Sequence, residues 1–198
     1  MVEQQLLARD ITVAKVLQAM AKVPREKFVP AALQLAAYTD GPLPIGHDQT
    51  ISQPYIVAFM TQALQLRSTD KVLEVGTGSG YQAAVLSELV KNVYSIEMTE
   101  QLYERAQEIL NFLGYKNIHL KLGDGRPGWP EQAPFNKIIV TAGAAETPPV
   151  LLEQLAAPGR LIIPLASGFG QELILIKKDS RGGLITQKIL PVAFVPLR

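Results

Sequence analysis

From residue 71 onward, short apolar runs alternate with amphipathic ones, and the first junction between them is the glycine-rich "VLEVGTGSGYQ". "KVLEV", "NVYSIE", "IHLKL", "NKIIVT" and "GRLIIPL" read as strands, while "YQAAVLSELV", "TEQLYERAQEILNFLG" and "PPVLLEQL" read as helices. Strands this apolar have no side to give to water, so their order demands a parallel sheet with helices on both faces. The end of the chain breaks the rhythm. "ELILIKK", the turn "DSRGG" and "LITQKILPVAFVPL" predict an antiparallel hairpin at one edge.

Before residue 71 the pattern is different. An apolar stripe of Leu6, Leu7, Ile11, Leu17 and Met20 predicts one helix over 3–22. "VPREKFVP" ends it, residues 31–51 read mostly as loop, and Pro54 suits the first turn of a helix with Ile56, Met60 and Leu64 on its apolar side. A single domain over 1–198 follows. Residues 1–53 form an N-terminal helical extension with a polar loop, and 54–198 form the α/β core with its hairpin.

Composition narrows the function. The 198 residues carry a formal charge of +1, which gives no electrostatic case for nucleic acid or an anionic membrane. With no cysteine and two histidines, thiolate metal sites and cysteine nucleophiles are out, and no metal is expected. The N-terminus lacks the apolar core of a signal peptide, and no segment is long enough to span a bilayer, so a cytoplasmic, monomeric protein is expected.

The glycine loop carries the first chemical signal. Gly76, Gly78 and Gly80 permit positive φ and close approach of a ligand, and the helix that follows offers unpaired N–H groups. Thr77, Ser79 and Gln82 fall in or beside the same loop. Glu97 ends the second strand of this region, seventeen residues past Gly80, where a carboxylate can accept from ribose hydroxyls, with Met98 next to it. "LGDGRPG" brings Asp124 and Gly125 to the same sheet edge, where Asp124 could take an adenine amino group. Each piece has a plainer explanation: a tight turn, a strand-end charge, an Asx turn. Together, in this order, they specify a nucleoside site. GxGxG spacing, rather than GxGxxG, favours S-adenosyl-L-methionine over a nicotinamide dinucleotide. Glu74, two places before Gly76, could receive the cofactor's ammonium directly or through water.

"PLPIGHDQTISQPYIVAFMTQAL" resembles the signature region of the protein-L-isoaspartate (D-aspartate) O-methyltransferases. The resemblance extends through "VPREKFVP", "VLEVGTGSGYQAAVL", "GDGRPGW", "APFNKIIVTAGA", "PGRLIIPL" and "FVPL", nearly the whole chain. It implies a Rossmann-like class I S-adenosylmethionine-dependent methyltransferase that esterifies the α-carboxyl of L-isoaspartyl residues in damaged proteins and peptides. By the same resemblance Ser52 is the active-site residue, with Gln49, Thr50 and Ile51 lining its pocket. Glu97 with Met98 would hold ribose, and Asp124 with Gly125 adenine. Ser52 has a second reading as a helix cap before Pro54. His47 reads as a surface loop residue, His119 as structural and Trp129 as a cap on the core.

Two departures from the family pattern stand out. Asp48 occupies a position where the family commonly has glycine, so its charge is expected to face solvent. The chain also stops at "FVPLR", where many members continue. The rival readings are a methyltransferase of the same fold with another acceptor, a nicotinamide-dependent oxidoreductase, and a cofactor-binding module without catalysis.

Overall fold

The computed structural model describes residues 1–168 and 170–197. The N-terminal part is less continuous than its apolar stripe suggests. A π-helical turn spans Val2–Leu7, and α1 runs only from Ala14 to Lys22. The expected helix over 3–22 is therefore two pieces. Asp10 and the β-branched Ile11, Thr12 and Val13 are weak helix formers. Their backbone is taken up by Gln62, whose Oε1 accepts from the N–H of both Thr12 and Val13 at 2.9 Å and whose Nε2 donates to the Asp10 carbonyl at 2.9 Å. The break lets Leu6 and Ile11 both bury completely.

Residues 31–51 also hold more structure than a loop. A 3₁₀ turn covers Ala31–Ala36, and β1 (Leu43–Gly46) pairs antiparallel with β2 (Gln49–Ile51). His47 and Asp48 turn the hairpin at φ 53° and 56°, the two left-handed residues that a type I′ turn requires. Asp48 is exposed, as its charge demanded. The next helix, α2 (Pro54–Ala63), begins at the predicted proline. Its buried side is Val57, Met60, Thr61 and the capping Leu64 rather than Ile56.

The remaining strands are β3 (Lys71–Val75), β4 (Asn92–Glu97), β5 (Ile118–Leu122), β6 (Phe135–Val140), β7 (Leu155–Ser167), β8 (Gly170–Lys178) and β9 (Leu184–Val192). They form one sheet in the order β5-β4-β3-β6-β7-β8-β9. The first five are mutually parallel, and β8 and β9 add the antiparallel hairpin. β7 starts at Leu155, ahead of the predicted Gly159, immediately where α5 (Pro149–Gln154) ends. The helices α3 (Tyr81–Ser87) and α4 (Glu100–Phe112) complete the crossovers.

Two apolar clusters occupy the two faces of the sheet. One joins Val72, Val93, Ile139 and Ile162 to the N-terminal extension, α2 and α3. The other joins Leu73, Val75, Ile138 and Leu161 to α5. Alternate residues of the same strand serve opposite faces. The sheet is thus rigid from both sides, and the chain order reverses at β3, between β4 and β6. Loops at the carboxyl ends of these strands meet there, which is where ligands bind in open α/β sheets.

Candidate active site

The cavity at this reversal point is walled by the glycine loop, the end of β4, the loops after β5 and β6, the β1–β2 hairpin and the C-terminal segment. Gly76 sits at φ 100°, and a Cβ there would lie 2.5 Å from Thr141 Oγ1. That hydroxyl donates to the Gly76 carbonyl at 2.5 Å, tying the loop after β6 to the loop after β3. Gly125 is equally confined, since a Cβ would lie 2.5 Å from Val75 Cγ1. Gly80 has another task. It starts α3 with φ 85° and faces Ala106 and Leu110 of α4 in ordinary contact, so it serves packing and stands outside the cavity lining.

Glu97 reaches into the cavity from the end of β4 and is 6 % exposed. Its two oxygens accept from the backbone N–H groups of Gly78 (2.7 Å) and Thr99 (2.9 Å). Both donors are neutral backbone groups, and among the described residues no cation pairs with this carboxylate at the cavity wall. Met98, half exposed, lies beside it.

Glu74 is placed differently from what its spacing suggests. It is fully buried beneath the glycine loop and does not line the cavity. The Ser95 hydroxyl donates to its Oε2 and shares a second bond of 2.6 Å with Thr77 Oγ1. Among the described residues Glu74 Oε1 has no hydrogen-bond partner. Burial, opposed by the Ser95 bond and assisted by the charge of Glu97, pushes the Glu74 pKa up to about 8. Among the described residues its hydrogen-bonded link to the cavity runs through Ser95 and Thr77.

On the opposite wall, Gln49, Thr50, Ile51 and Ser52 all line the cavity. Among the described residues, neither the Thr50 nor the Ser52 hydroxyl is engaged by another side chain or by backbone, leaving both free for a ligand. Ser52 is not the helix cap: Gln53 holds that position, with no side-chain bond. The Ser52 carbonyl instead accepts from a guanidinium nitrogen of Arg25 at 2.8 Å. Arg25 is fully buried, also donates through Nε to the Ala37 carbonyl at 2.7 Å, and lies 4.8 Å over the Tyr81 ring. Burial lowers its pKa to about 10.

The structure therefore gathers Gln49, Thr50, Ile51, Ser52, Gly76, Thr77, Gly78, Ser79, Gln82, Glu97, Met98 and Gly125 around one cavity. Asp124 stands just outside it. Its carboxylate accepts from Arg126 at 2.8 Å and from the Arg126 backbone N–H at 2.9 Å, which holds its pKa down. Several lining groups carry no signal of their own in the sequence: Thr141 and Ala142 after β6, Tyr81, and Val195, Pro196 and Leu197. Thr141 was open to inference from topology, since β6 delivers its carboxyl end to the same edge. The last three are held by two bonds to Gly143, its N–H to the Val195 carbonyl (2.8 Å) and its carbonyl from the Leu197 N–H (2.7 Å). Residues 195–197 thus form part of the cavity wall. His47 is exposed at the rim. His119 stacks on Tyr94 (4.7 Å between centroids), and Trp129 meets the same ring edge-on, both away from the cavity.

A mostly parallel sheet with an antiparallel terminal hairpin, a glycine loop after its first parallel strand and an acid at the end of the second define a Rossmann-like class I methyltransferase. Two solved structures share the fold across the chain. One is a protein-L-isoaspartate O-methyltransferase, 30% identical at a TM-score of 0.89, with 99% of this chain and 65% of that one covered. The other is a Plasmodium falciparum protein assigned as a protein-L-isoaspartate O-methyltransferase, in complex with S-adenosyl-L-homocysteine. It is 26% identical at a TM-score of 0.85, with 100% and 96% covered. A curated relative from Opitutus terrae, named protein-L-isoaspartate O-methyltransferase, is 53% identical over 99% of this chain and 84% of its own. The family model for protein-L-isoaspartate(D-aspartate) O-methyltransferase matches residues 1–198, and the chain belongs to that family.

Proposed function

We propose that the chain methylates the α-carboxyl of L-isoaspartyl residues in damaged proteins and peptides, with S-adenosyl-L-methionine as donor. The observation that carries this reading is the pair of free hydroxyls, Thr50 and Ser52, facing the glycine loop and Glu97 across one cavity. The residues fit the cofactor. Glu97 offers a carboxylate to a ribose diol, and Gly125, packed tightly against Val75, presents only backbone to a flat base. Thr77, Ser79 and Gln82 supply polar groups for an amino-acid moiety, with Glu74 acting from beneath through Ser95. Asp124 sits at the cavity's edge, where its exposed pair with Arg126 is worth little and easily exchanged.

S-adenosyl-L-methionine, when bound, supplies an electrophilic methyl group and leaves as S-adenosyl-L-homocysteine. An isoaspartyl α-carboxyl, with a pKa near ~4, is already ionised at neutral pH, so the chain needs no general base. What Thr50 and Ser52 provide is orientation of the carboxylate oxygen. Ile51, Val57 and Val195–Leu197 exclude water around it. Holding the reactants in line recovers on the order of 7–11 kcal/mol of barrier in well-oriented systems. The methyl ester then loses methanol to attack by the following backbone nitrogen, giving a succinimide.

The net charge of +1 supports action on peptides rather than nucleic acid, and the lack of cysteine supports a cytoplasmic setting, where the chain is taken to act as a monomer. Labelled S-adenosyl-L-methionine offered with two peptides, identical except for one aspartyl or isoaspartyl linkage, tests the reading. Base-labile label on the isoaspartyl peptide alone is expected. Label on neither, with cofactor binding intact, would overturn the acceptor.

A further inference from the structure

A second cleft opens at the other end of the sheet, by the amino ends of β3, β6 and β7 and the end of α2. It encloses about 710 Å³, within the ~300–1,000 Å³ usual for small-molecule sites. Its lining includes Lys15, Arg67, Lys137, Arg160, Lys177 and Lys178 against a single carboxylate, Asp70.

Three of these cations stand in register. Lys137 of β6 is the partner of Arg160 on β7, and Arg160 is the partner of Lys177 on β8. Partners in adjacent strands share a face at ~4.8 Å spacing, and like charges directly opposite one another destabilise a sheet. The same face carries apolar side chains one step along, Ile139 after Lys137 and Ile162 after Arg160, so the cations interrupt a surface that would otherwise pack.

The surrounding charges do not relieve them. Among the described residues, none of the six is in an ion pair. Lys15, Arg160 and Lys178 donate to neutral carbonyls, of Leu66, of Ala63, and of Leu152 and Leu155, which hold them in place. Lys137 and Arg67 have no side-chain hydrogen bond among the described residues. Lys137 is half-buried, and burial with the neighbouring Arg160, Arg67 and Lys15 holds its pKa down against the pull of Asp70. Asp70 itself is occupied by the Arg67 backbone N–H at 2.8 Å.

We propose that this cleft binds a condensed phosphate, the phosphate chain of a nucleotide or a free polyphosphate, laid across the Lys137–Arg160–Lys177 row. A linear anion with several charges matches three cations spread over about 10 Å, two strand spacings. Arg67 and Lys15 close over it from the α2 and α1 sides. The site is separate from the glycine loop and independent of the methyl-transfer reading.

Calorimetric titration of the full chain with sodium tripolyphosphate at about 0.15 M salt, where weak surface attraction is screened, tests it. Saturable one-to-one binding is expected, unchanged by saturating S-adenosyl-L-homocysteine. Lys137→Met should weaken it at least about tenfold, and should raise the melting temperature of the phosphate-free protein by removing a half-buried cation among like charges. A purely structural lysine would give the opposite shift in melting. Lys177→Gln, nearer the surface, should weaken binding less. ATP is titrated beside tripolyphosphate. Equal affinities identify a free phosphate chain as the ligand, and tighter ATP a nucleotide. No saturable binding would overturn the proposal. So would heat abolished by S-adenosyl-L-homocysteine, or wild-type affinity in both variants.

Discussion

At the scale of single residues, two side chains on opposite walls divide the work and should separate in kinetics. Ser52→Ala removes a hydroxyl that makes no hydrogen bond among the described residues, so its loss falls on the acceptor. Turnover should drop about 10–100-fold, the ~1–3 kcal/mol of one orienting hydrogen bond. Affinity for S-adenosyl-L-homocysteine should stay within a factor of about two. Glu97→Ala does the reverse. It takes away a carboxylate that also holds the Gly78 and Thr99 N–H groups. Cofactor affinity, by calorimetry, should fall at least about tenfold, as for a hydrogen bond to a charged group. Equal loss of turnover and cofactor affinity in Ser52→Ala would make the hairpin residue structural.

Glu74 has its signature in pH rather than in turnover. Its pKa is about 8 in the fold, against 4.5 when unburied. The native state therefore binds a proton that the unfolded chain has already released. This group's contribution is fully present below pH 4.5 and is lost as pH rises towards about 8. The loss approaches about 1.4 kcal/mol per pH unit inside that window. Glu74→Gln, neutral at every pH, should flatten the fall in melting temperature between pH 5 and 8. An unchanged profile would show that the buried carboxyl is ionised throughout.

At the scale of elements, α2 carries the acceptor hairpin's far end and ends awkwardly. After its cap at Leu64, Gln65 sits at φ 51°, the left-handed position where glycine is preferred. Gln65→Gly should add about 1 kcal/mol. In a chain of this length that is a rise of roughly 2–4 °C in melting temperature.

Elements also show what can be read from sequence. The core strands were legible because each is a short, two-sided apolar run between turn signals, and their carboxyl ends fixed where Gly76, Glu97 and Gly125 would meet. The helix over 3–22 was not. Periodicity sees the apolar stripe, whereas the break depends on Gln62, about fifty residues away in sequence. The β1–β2 hairpin was hidden for a related reason. Its turn uses His47-Asp48 in place of the usual asparagine and glycine, so no local chemistry announced it. Glu74 shows the limit at the site: its spacing from the glycines was right for a ligand contact, yet strand alternation turned it beneath the loop. Register, not motif, decided that.

At the scale of the whole molecule, three regions must hold still relative to one another: the N-terminal extension, the acceptor hairpin and the cofactor-side helix α3. Arg25 bonds or stacks on groups from all three. It reaches Ala37 in the extension, Ser52 after the hairpin and Tyr81 at the start of α3. Its pKa of about 10 leaves it charged at neutral pH in spite of burial. Carbonyls and an aromatic face receive that charge, and among the described residues no carboxylate pairs with it. Arg25→Met keeps the volume but leaves two carbonyls without donors. Each such loss costs roughly 1–3 kcal/mol, so melting should fall by about 4–24 °C, at the 2–4 °C per kcal/mol of a chain this size. The more telling readout is kinetic. At a temperature where the variant is folded, KM for an isoaspartyl peptide should rise at least about fivefold while S-adenosyl-L-homocysteine affinity changes little, because Ser52 loses its anchor and the glycine loop keeps its own. Arg25→Lys should restore most of the stability and little of the KM, since one ammonium cannot span both carbonyls as a planar guanidinium does. A variant that melts lower with an unaltered KM would confine Arg25 to holding the fold.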